Sequence, residues 1–308
     1  MTPELSFVVL TDTHVDVRPG RSDGDWWNRM LTTQSEPILR AAVERINDLS
    51  PDFVVHCGDL TNGSDEASFR AAAQILKHLK MPFHFVPGNH DTYLPGARNV
   101  AADLFSLPDR PFLHHVQRSG NWRLIFIDSS WWLWKDGSVR EHIAWDNFID
   151  VETPEGELDW VRRLFEEDPE TPTFCFAHPV LAFREAYPVS RAPGGEPVPV
   201  TPTPLADQFS AWQALRAIIE RQSCVKAAFF GHGHWHDCLI EDGTLYCQTA
   251  AMVEYPCELR LVLVYPNRIQ TQVLGLSGTD FAKRSYVEEW GNTWVAGRPE
   301  DRHYAHAW

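Results

Sequence analysis

Side chains that can bind metal ions follow five apolar segments of the sequence, at the points where predicted strands end. They are Asp12, His14, Asp59, Asn89, His90, Asp91, His178, His232 and His234. Carboxylate, amide and imidazole groups together suit Zn, Mn, Fe or Co. Any one of these residues alone could instead cap a turn or lie satisfied in the core. Because ligand sites form at the carboxyl ends of strands in α/β sheets, their joint position predicts a metal site at that edge.

The segment GHGHWHDC contains three histidines, His232, His234 and His236, at every second position. In an extended chain alternate side chains lie on one face, so the three imidazoles are expected to point the same way. This spacing alone is compatible with metal ligands, with paired acid and base groups, and with a solvated strand end. Glycines beside two of these histidines permit a close backbone approach.

The bulk composition limits the class of partner. The chain has 308 residues, of which 44% are hydrophobic, so it can form a sizeable core. Its formal net charge of −15 argues against a nucleic-acid polymer or an anionic membrane as partner. A small phosphate ester remains compatible with this charge, because bound metal ions can reverse the field at one site.

The cysteines and the N-terminal residues bear on the expected location. Six cysteines occur without a CxxC pair, so we expect reduced and mostly buried thiols, with a Cys247–Cys257 disulfide as the alternative. The first residues read as a strand rather than a secretion signal, and no segment reaches the ~18 apolar residues that span a bilayer. These features predict a cytoplasmic protein.

The elements that must position the polar residues begin with an alternation of strands and helices. Apolar segments at 5–10, 52–60 and 83–91 are predicted strands, separated by amphipathic helices at 35–50 and 66–80. Such an alternation favours parallel strands joined by right-handed crossovers. After two more strand–helix pairs the pattern becomes strand-rich, with Asp-Gly and Pro-Asn turns between predicted antiparallel strands. The sequence therefore predicts an α/β fold with two packed sheets and helices outside.

Three segments do not follow this pattern. The Pro-rich stretch 187–205 is expected to be a surface loop. The aromatic residues at 129–137 could cover the core, line the substrate site or contact a second subunit. Residues 276–308 are aromatic but aperiodic, and we expect this extension to pack on the domain or on a partner subunit, which leaves a homo-oligomer open.

The ordered series of strand-end motifs resembles that of the calcineurin-like metallophosphoesterases. The motifs are Asp12-Thr13-His14, Gly58-Asp59, Gly88-Asn89-His90-Asp91, His178 and Gly231-His232-Gly233-His234. The resemblance covers roughly residues 5–275 and implies a catalytic domain over residues 1–275. It also implies a four-layer αββα sandwich of two mixed sheets, and hydrolysis of phosphate esters at a two-metal centre. Within the family the chain looks most like bacterial cyclic-nucleotide and glycerophosphodiester phosphodiesterases.

The resemblance also implies a role for each motif residue. One ion would be held by Asp12, His14, Asp59 and His234, and the second by Asp59, Asn89, His178 and His232, so that Asp59 bridges them. His90 would be a catalytic side chain rather than a ligand, with Asp91 orienting it or bracing its loop. Many members have a doubled His-His-Pro where this chain has Ala177-His178-Pro179, and the ligand role falls to His178, the only histidine on that strand.

The implied reaction is hydrolysis of small phosphodiesters by in-line attack of a hydroxide that bridges two metal ions. Mn, Fe, Zn and Co all suit the ligand set. The alternatives are a phosphomonoesterase or protein phosphatase with the same centre, or a non-catalytic scaffold of the same fold. Asn62 and Arg18 are candidate substrate contacts, although a turn residue and a solvated cation are equally ordinary interpretations. His236 has no family role and is expected beyond the ligands or at the surface.

Overall fold

The computed structural model describes residues 2–107, 111–182, 187–191, 197–200 and 210–308. The strands, in chain order, are β1 (Leu5–Leu10), β2 (Gly24–Asp25), β3 (Arg29–Met30), β4 (Phe53–Cys57), β5 (Phe83–Val86), β6 (His115–Ser119), β7 (Trp122–Phe126), β8 (Trp131–Trp134), β9 (Val139–Arg140), β10 (Phe148–Glu152), β11 (Thr173–Phe176), β12 (Tyr187–Arg191), β13 (Pro197–Val200), β14 (Val225–Phe230), β15 (Asp237–Glu241), β16 (Thr244–Gln248), β17 (Glu258–Tyr265), β18 (Arg268–Gly275) and β19 (His303–Ala307). The α-helices are α1 (Ser35–Leu49), α2 (Glu66–Leu76), α3 (Ala97–Phe105), α4 (Glu155–Glu167), α5 (Ser210–Glu220), α6 (Phe281–Ser285) and α7 (Pro299–Arg302).

Two six-stranded mixed sheets form the centre of the molecule. The strand order is β19-β18-β17-β1-β4-β5 in the first sheet and β15-β16-β14-β11-β7-β6 in the second. Strands β1, β4 and β5 run parallel, as predicted from the helices between them. The predicted antiparallel pairs, β15 with β16 and β17 with β18, also form. In both sheets the parallel strands end at the edge where the chemically active residues follow.

Apolar side chains fill three spaces between the layers. Between the sheets, the ring of Phe7 on β1 lies 5.3 Å from Phe229 on β14 and 5.6 Å from Phe174 on β11. Helices α1 to α3 cover the outer face of the first sheet, where α1 buries a helical stripe from Ile38 to Ile46. Helices α4 and α5 cover the second sheet. The resulting order of layers is αββα, which confirms the fold expected from the sequence.

The aromatic C-terminal segment packs on the domain itself. Its last strand, β19, pairs antiparallel with β18 at the edge of the first sheet. Trp308 contacts Trp122 of the second sheet, with ring centroids 5.4 Å apart. Strand β19 has only five residues and alternates between partly buried and exposed positions, so its sequence pattern does not distinguish it from a loop.

The aromatic segment at 129–137 contains strand β8 of a separate small sheet, in the order β10-β8-β9. Trp131 and Trp132 are buried, as expected for side chains that cover a core. The Trp132 indole N–H donates a hydrogen bond to Thr92 Oγ1 at 3.0 Å, which ties this sheet to the loop after β5. The sequence gives no prediction of β9 or β10.

The remaining expectations concern the Pro-rich stretch and the cysteines. Within 187–205, the short strands β12 and β13 pair antiparallel, and the rest of that stretch lies outside the described residues. All six cysteines are within the described residues, buried and free, so the Cys247–Cys257 disulfide is not formed.

Among the described helices, none is both long enough and apolar enough to cross a membrane.

Candidate metal centre

The loops that follow β1, β4 and β14 bring the predicted metal ligands together through left-handed backbone. Asp12 and Asp59 have φ angles of 52° and 54°, and His232 and His234 have 68° and 67°. Residues other than glycine seldom adopt this conformation, and when they do it often marks a functional site. The interpretation of 231–238 as extended chain with aligned imidazoles is therefore wrong, because this segment turns immediately after β14.

Two glycines allow these loops to approach each other. A methyl group in place of the Gly231 hydrogen would lie 1.9 Å from Thr11 Oγ1 and 2.7 Å from Asp12 Oδ2. A Cβ at Gly88 would lie 2.2 Å from both the backbone nitrogen and Oδ1 of Asp59. Neither position can accept a side chain without moving a predicted metal ligand, which explains the glycines that flank the motifs.

The first group of donor atoms consists of Asp12, His14 and His234, together with Asp59. His234 Nε2 lies 3.3 Å from Asp12 Oδ1 and 3.4 Å from His14 Nε2. His14 Nε2 lies 3.7 Å from Asp59 Oδ2. These four residues are the set that the sequence assigns to one metal ion.

The second group consists of Asn89, His178 and His232, again with Asp59. His178 Nε2 lies 3.4 Å from Asp59 Oδ2 and 3.1 Å from Asn89 Oδ1. His232 Nδ1 lies 3.0 Å from the same amide oxygen and 3.3 Å from His178 Nε2. The single histidine of the Ala177-His178-Pro179 segment therefore points into this group, and its Nδ1 donates to the carbonyl oxygen of Cys57 at 2.8 Å.

The shared carboxylate and an unpartnered oxygen show that the donors fit metal ions. Asp59 Oδ2 borders both groups, as a bridging ligand must. Asp12 Oδ1 is buried and accepts no well-aligned hydrogen bond from any described residue, although His234 Nε2 lies 3.3 Å away. A buried carboxylate oxygen without a hydrogen bond is costly in a protein interior, and a cation would satisfy it. Oxygen and nitrogen donors of this kind suit the borderline ions expected from the sequence.

The charges in the two groups also indicate that the donor atoms fit metal ions. Burial disfavours a charged imidazole, but Asp59 raises the pKa of His178 to about 9. Burial is likewise outweighed at His234, where Asp12 and Glu254 raise the pKa to about 10. Burial and the neighbouring His178 lower the pKa of His232 to about 3. In each group the carboxylates thus favour a positive charge beside them, which is the charge that a bound metal ion would supply.

His90 lies beside the first donor group and Asp91 lies behind it. The ring of His90 is 4.6 Å from that of His14, and its Nδ1 lies 3.1 Å from the carbonyl oxygen of Asn62. Asp91 accepts hydrogen bonds from the backbone nitrogens of Leu60, Thr61 and Gly88. Burial and the nearby Asp59 raise the pKa of Asp91 to about 7. Of the two roles expected for Asp91, its contacts are those of a residue that braces the loops.

The two candidate substrate contacts lie in different places. Asn62 lines the cavity above the donor groups, and its side-chain amide donates to Asp16 Oδ2 at 3.1 Å. Arg18 instead borders a neighbouring surface depression. Its guanidinium donates to Asp16 Oδ2 at 2.6 Å and faces Asp65 at 3.7 Å. The structure brings Asn62 to the predicted site and leaves Arg18 outside the cavity.

His236 is fully buried, so its expected surface alternative is wrong. Its Nε2 lies 3.3 Å from Glu258 Oε2, and its Nδ1 accepts a hydrogen bond from the backbone nitrogen of Ala250 at 3.2 Å. Its own backbone nitrogen donates to the carbonyl oxygen of Val295 in the C-terminal segment. His236, the third histidine of the GHGHWHDC segment, thus binds the C-terminal segment and does not join the donor groups.

Glu254 is a site residue that the sequence does not reveal. Its carboxylate is fully buried and lies 2.7 Å from His234 Nδ1, while the backbone nitrogen of Asn28 donates to its other oxygen. A carboxylate that accepts the Nδ1 proton fixes the ring orientation and leaves Nε2 available for a metal ion. Glu254 follows β16 and belongs to no recurring motif, so only the folded chain shows its contact with His234.

A cavity of about 460 Å³ opens above the two donor groups. It is lined by His14, Ser22, Gly24, Trp26, Met30, Thr32, Asp59, Asn62, Asn89, His90, His232 and His234. Seven of these residues come from the loops that carry the predicted ligands, and the other five lie in or directly beside the hairpin β2–β3. Among the described residues that line it, none is a lysine or an arginine.

Comparison with known proteins identifies the family. A model of the calcineurin-like phosphoesterase family matches residues 5–236, about three quarters of the chain. The chain belongs to the calcineurin-like phosphoesterase family. The expected class of activity, metal-dependent hydrolysis of phosphoric esters, is thereby confirmed.

Relatives of this phosphoesterase include named phosphodiesterases. It is 25% identical over 233 residues to a 3',5'-cyclic-nucleotide phosphodiesterase from Nostoc, an alignment that covers 75% of this chain and 71% of that protein. It is 34% identical over 198 residues to the glycerophosphodiester phosphodiesterase GpdQ of Enterobacter lignolyticus, covering 62% of this chain and 60% of that one. A dimetal phosphatase from Danio rerio has the same fold, with a TM-score of 0.66, 14% identity, and coverage of 89% of this chain and 96% of the other.

The shared carboxylate generates a prediction on metal content. We expect the wild-type phosphoesterase to bind about two ions per chain, Asp59→Ala to bind fewer than one, and His178→Ala to retain about one. The reason is that Asp59 borders both donor groups, whereas His178 belongs to one. Metal per chain would be measured by mass spectrometry after incubation with Mn²⁺ and gel filtration, with the exposed Asp48→Ala as control. Two retained ions in Asp59→Ala would contradict the bridging role.

The contact between Glu254 and His234 generates a second prediction. Glu254→Gln should weaken metal binding about 10- to 100-fold, because the amide no longer holds the ring by a charged acceptor. The apparent Kd for Mn²⁺ would be obtained by competition with a chelating dye. Glu44→Gln, at an exposed position of α1, is the matched control and should bind as the wild type does. Equal affinities in the two variants would show that Glu254 does not position His234.

Proposed function

We propose that this phosphoesterase is a binuclear-metal phosphodiesterase that hydrolyses small phosphodiesters of the cyclic-nucleotide or glycerophosphodiester type. The observation that carries the proposal is the charge of the cavity. With no lysine or arginine among its described lining residues, substrate charge would be balanced by the two metal ions. A phosphate monoester carries a charge of about −1.5 to −2 at neutral pH, whereas a diester carries a single negative charge. The singly charged diester therefore suits a cavity whose described lining adds no lysine or arginine to the charge of the metal ions.

The lining also suits the second ester group of a diester. Trp26 and Met30 provide apolar surface within reach of the donor groups. A monoester presents only one organic group, whereas a diester presents two, and one of them can lie against this surface. The names of the Nostoc and Enterobacter relatives, both phosphodiesterases, support the same choice.

The residues would act in distinct ways on such a substrate. When bound, two metal ions supply a nucleophile from water at neutral pH and neutralise the phosphoryl charge. Asp59 would hold both ions in place. Asn89, His178 and His232 would hold the second of them, since a nitrogen of each imidazole lies 3.1 or 3.0 Å from the amide oxygen. With Nδ1 of His90 held by the Asn62 carbonyl, its Nε2 is the nitrogen available to the substrate. There it would donate a hydrogen bond to the phosphoryl group or a proton to the leaving oxygen.

We also propose that the enzyme acts on a small ester in the cytoplasm. Six buried, free cysteines are typical of a reducing compartment. The net charge of −15 favours a small substrate over a nucleic-acid polymer or a membrane surface.

Substrate preference tests the proposal directly. Metal-depleted protein would be assayed with bis(p-nitrophenyl) phosphate and with p-nitrophenyl phosphate, before and after addition of Mn²⁺, Fe²⁺, Zn²⁺ or Co²⁺. We expect cleavage that depends on added metal and a higher kcat/KM for the diester. A clear preference for the monoester would assign the enzyme to the phosphomonoesterases, and inactivity with all four ions would favour a non-catalytic scaffold.

The role of His90 gives a separate prediction. His90→Ala should lower kcat about 10²- to 10⁴-fold while two ions remain bound, because His90, although close to His14 and Asp59, is not among the ligands expected for either ion. Rates and metal content would be measured on the same preparation. His78→Ala, at an exposed position after α2, should match the wild type in both. Wild-type turnover by His90→Ala would remove the catalytic assignment.

A further inference from the structure

The hairpin β2–β3 forms one wall of the cavity and carries a tryptophan whose exposure is unusual. The Trp26 side chain is 51% exposed, although tryptophan is mostly buried in folded proteins. Its ring centroid lies 6.3 Å from that of His234, so the exposed indole stands beside the first donor group. Met30 and Thr32 continue the same wall.

The hairpin cannot hold this position by its own hydrogen bonds. Its strands have two residues each, and isolated hairpins of that length are not stable in water. The indole N–H of Trp27 donates to the carbonyl oxygen of Gly233 at 2.8 Å, between the two metal-binding histidines of that loop. The backbone nitrogen of Asn28 donates to Glu254, the carboxylate that also contacts His234.

The C-terminal segment supplies the other contacts of the hairpin. The Asn292 side-chain amide donates to the carbonyl oxygen of Trp27 at 2.6 Å. The Ser285 hydroxyl donates to the carbonyl oxygen of Arg29, also at 2.6 Å. The backbone nitrogen of Val287 donates to Asn28 Oδ1 at 3.1 Å.

The ring of Trp294 completes these contacts, since it lies 5.1 Å from that of Trp27. All of the contacting residues in the C-terminal segment lie beyond residue 236, where the match to the family model ends. None of these contacting residues is among the described residues that line the cavity. They therefore hold the hairpin in place without occupying the space in front of Trp26.

We propose that Trp26 determines substrate specificity by stacking on a planar apolar group of the phosphate ester, and that residues 285–294 hold it in place. This inference rests on the proposed function, since it names the kind of diester that the site accepts. Stacking of a planar ring on an aromatic side chain typically changes affinity by roughly 5- to 100-fold. Beside hydrogen-bonding side chains such as Ser22 and Thr32, the described lining of the cavity offers Trp26 and Met30 as apolar contacts for the organic group of an ester.

Two diesters with the same leaving group test the role of Trp26. Bis(p-nitrophenyl) phosphate and methyl p-nitrophenyl phosphate differ only in the second ester group, which is planar in one and a methyl in the other. Trp26→Ala should lower kcat/KM for the aromatic diester by roughly 5- to 100-fold, mainly through KM, and change the methyl diester less than about threefold. Trp26→Phe should recover most of the loss. Metal content should match that of the wild type in both variants.

Trp145→Ala is the matched control, because Trp145 is 66% exposed but does not line the cavity. Equal losses for the two diesters in Trp26→Ala, or the same selective loss in Trp145→Ala, would overturn the inference. If the wild type cleaves monoesters and not diesters, the proposed function fails. In that case the effect of Trp26→Ala on kcat/KM would be measured for p-nitrophenyl phosphate and for methyl phosphate. A loss confined to the aromatic monoester would still show that Trp26 selects a planar group, and equal effects would show that it does not.

The role of the C-terminal segment is tested by Asn292→Asp. Asn292 Oδ1 accepts a hydrogen bond from the Trp294 indole, and the aspartate retains this acceptor while it loses the donor to Trp27. We expect the same selective loss of kcat/KM for the aromatic diester, with unchanged metal content and an altered near-ultraviolet circular dichroism of the tryptophans. Wild-type selectivity and an unchanged spectrum would show that the segment does not hold Trp26.

Discussion

The structure depends on bringing two carboxylates, Asp12 and Asp59, into a buried place beside four imidazoles. Both carboxylates are almost completely shielded from water, where unbalanced charge is strongly unfavourable. Their charge raises the pKa of His178 and of His234, and metal ions held by the same groups would balance it. The glycines, the turns and the hydrogen bonds of the surrounding loops all serve to keep these charged groups at contact distance. The two sheets provide the rigid base on which such an arrangement can persist.

The left-handed residues show how the fold supports the site. Each non-glycine residue of this kind costs about 1–3 kcal/mol, and five of the seven predicted ligands adopt it: Asp12, His14, Asp59, His232 and His234. Strands β1, β4 and β14 are almost entirely buried, so the loops that follow them begin from fixed positions. Asp91 adds to this by binding three backbone nitrogens from two different loops. Local strain at the sheet edge is therefore maintained by packing behind it.

Periodic patterns predict the parallel half of the fold and the shared position of the donor residues, whereas the four-layer architecture and the grouping of ligands around two ions came from the resemblance to the family. Alternating buried strands and amphipathic helices place the ends of the parallel strands at one edge, and this argument brings Asp12 and Asp59 together. Contacts without a local pattern could not be predicted. Glu254 meets His234 only after β15 and β16 have folded back, and β19 is recognisable only from its partner β18. The extended interpretation of the histidine segment failed because His232 and His234 themselves adopt left-handed backbone, which the spacing of residue types does not reveal.

The position of β1 in its sheet has a consequence for how the chain folds. Leu5 on β1 pairs with Val264 on β17, so one side of β1 stays unpaired until a strand far along the sequence is in place. Contacts of such sequence separation slow folding, and an unpaired strand edge favours association with other chains in the meantime. The donors also come from both halves, since His232 and His234 lie more than 200 residues after Asp12. The two donor groups therefore form only when residues from distant parts of the chain have folded together, so metal retention reports on long-range folding as well as on the ligands themselves.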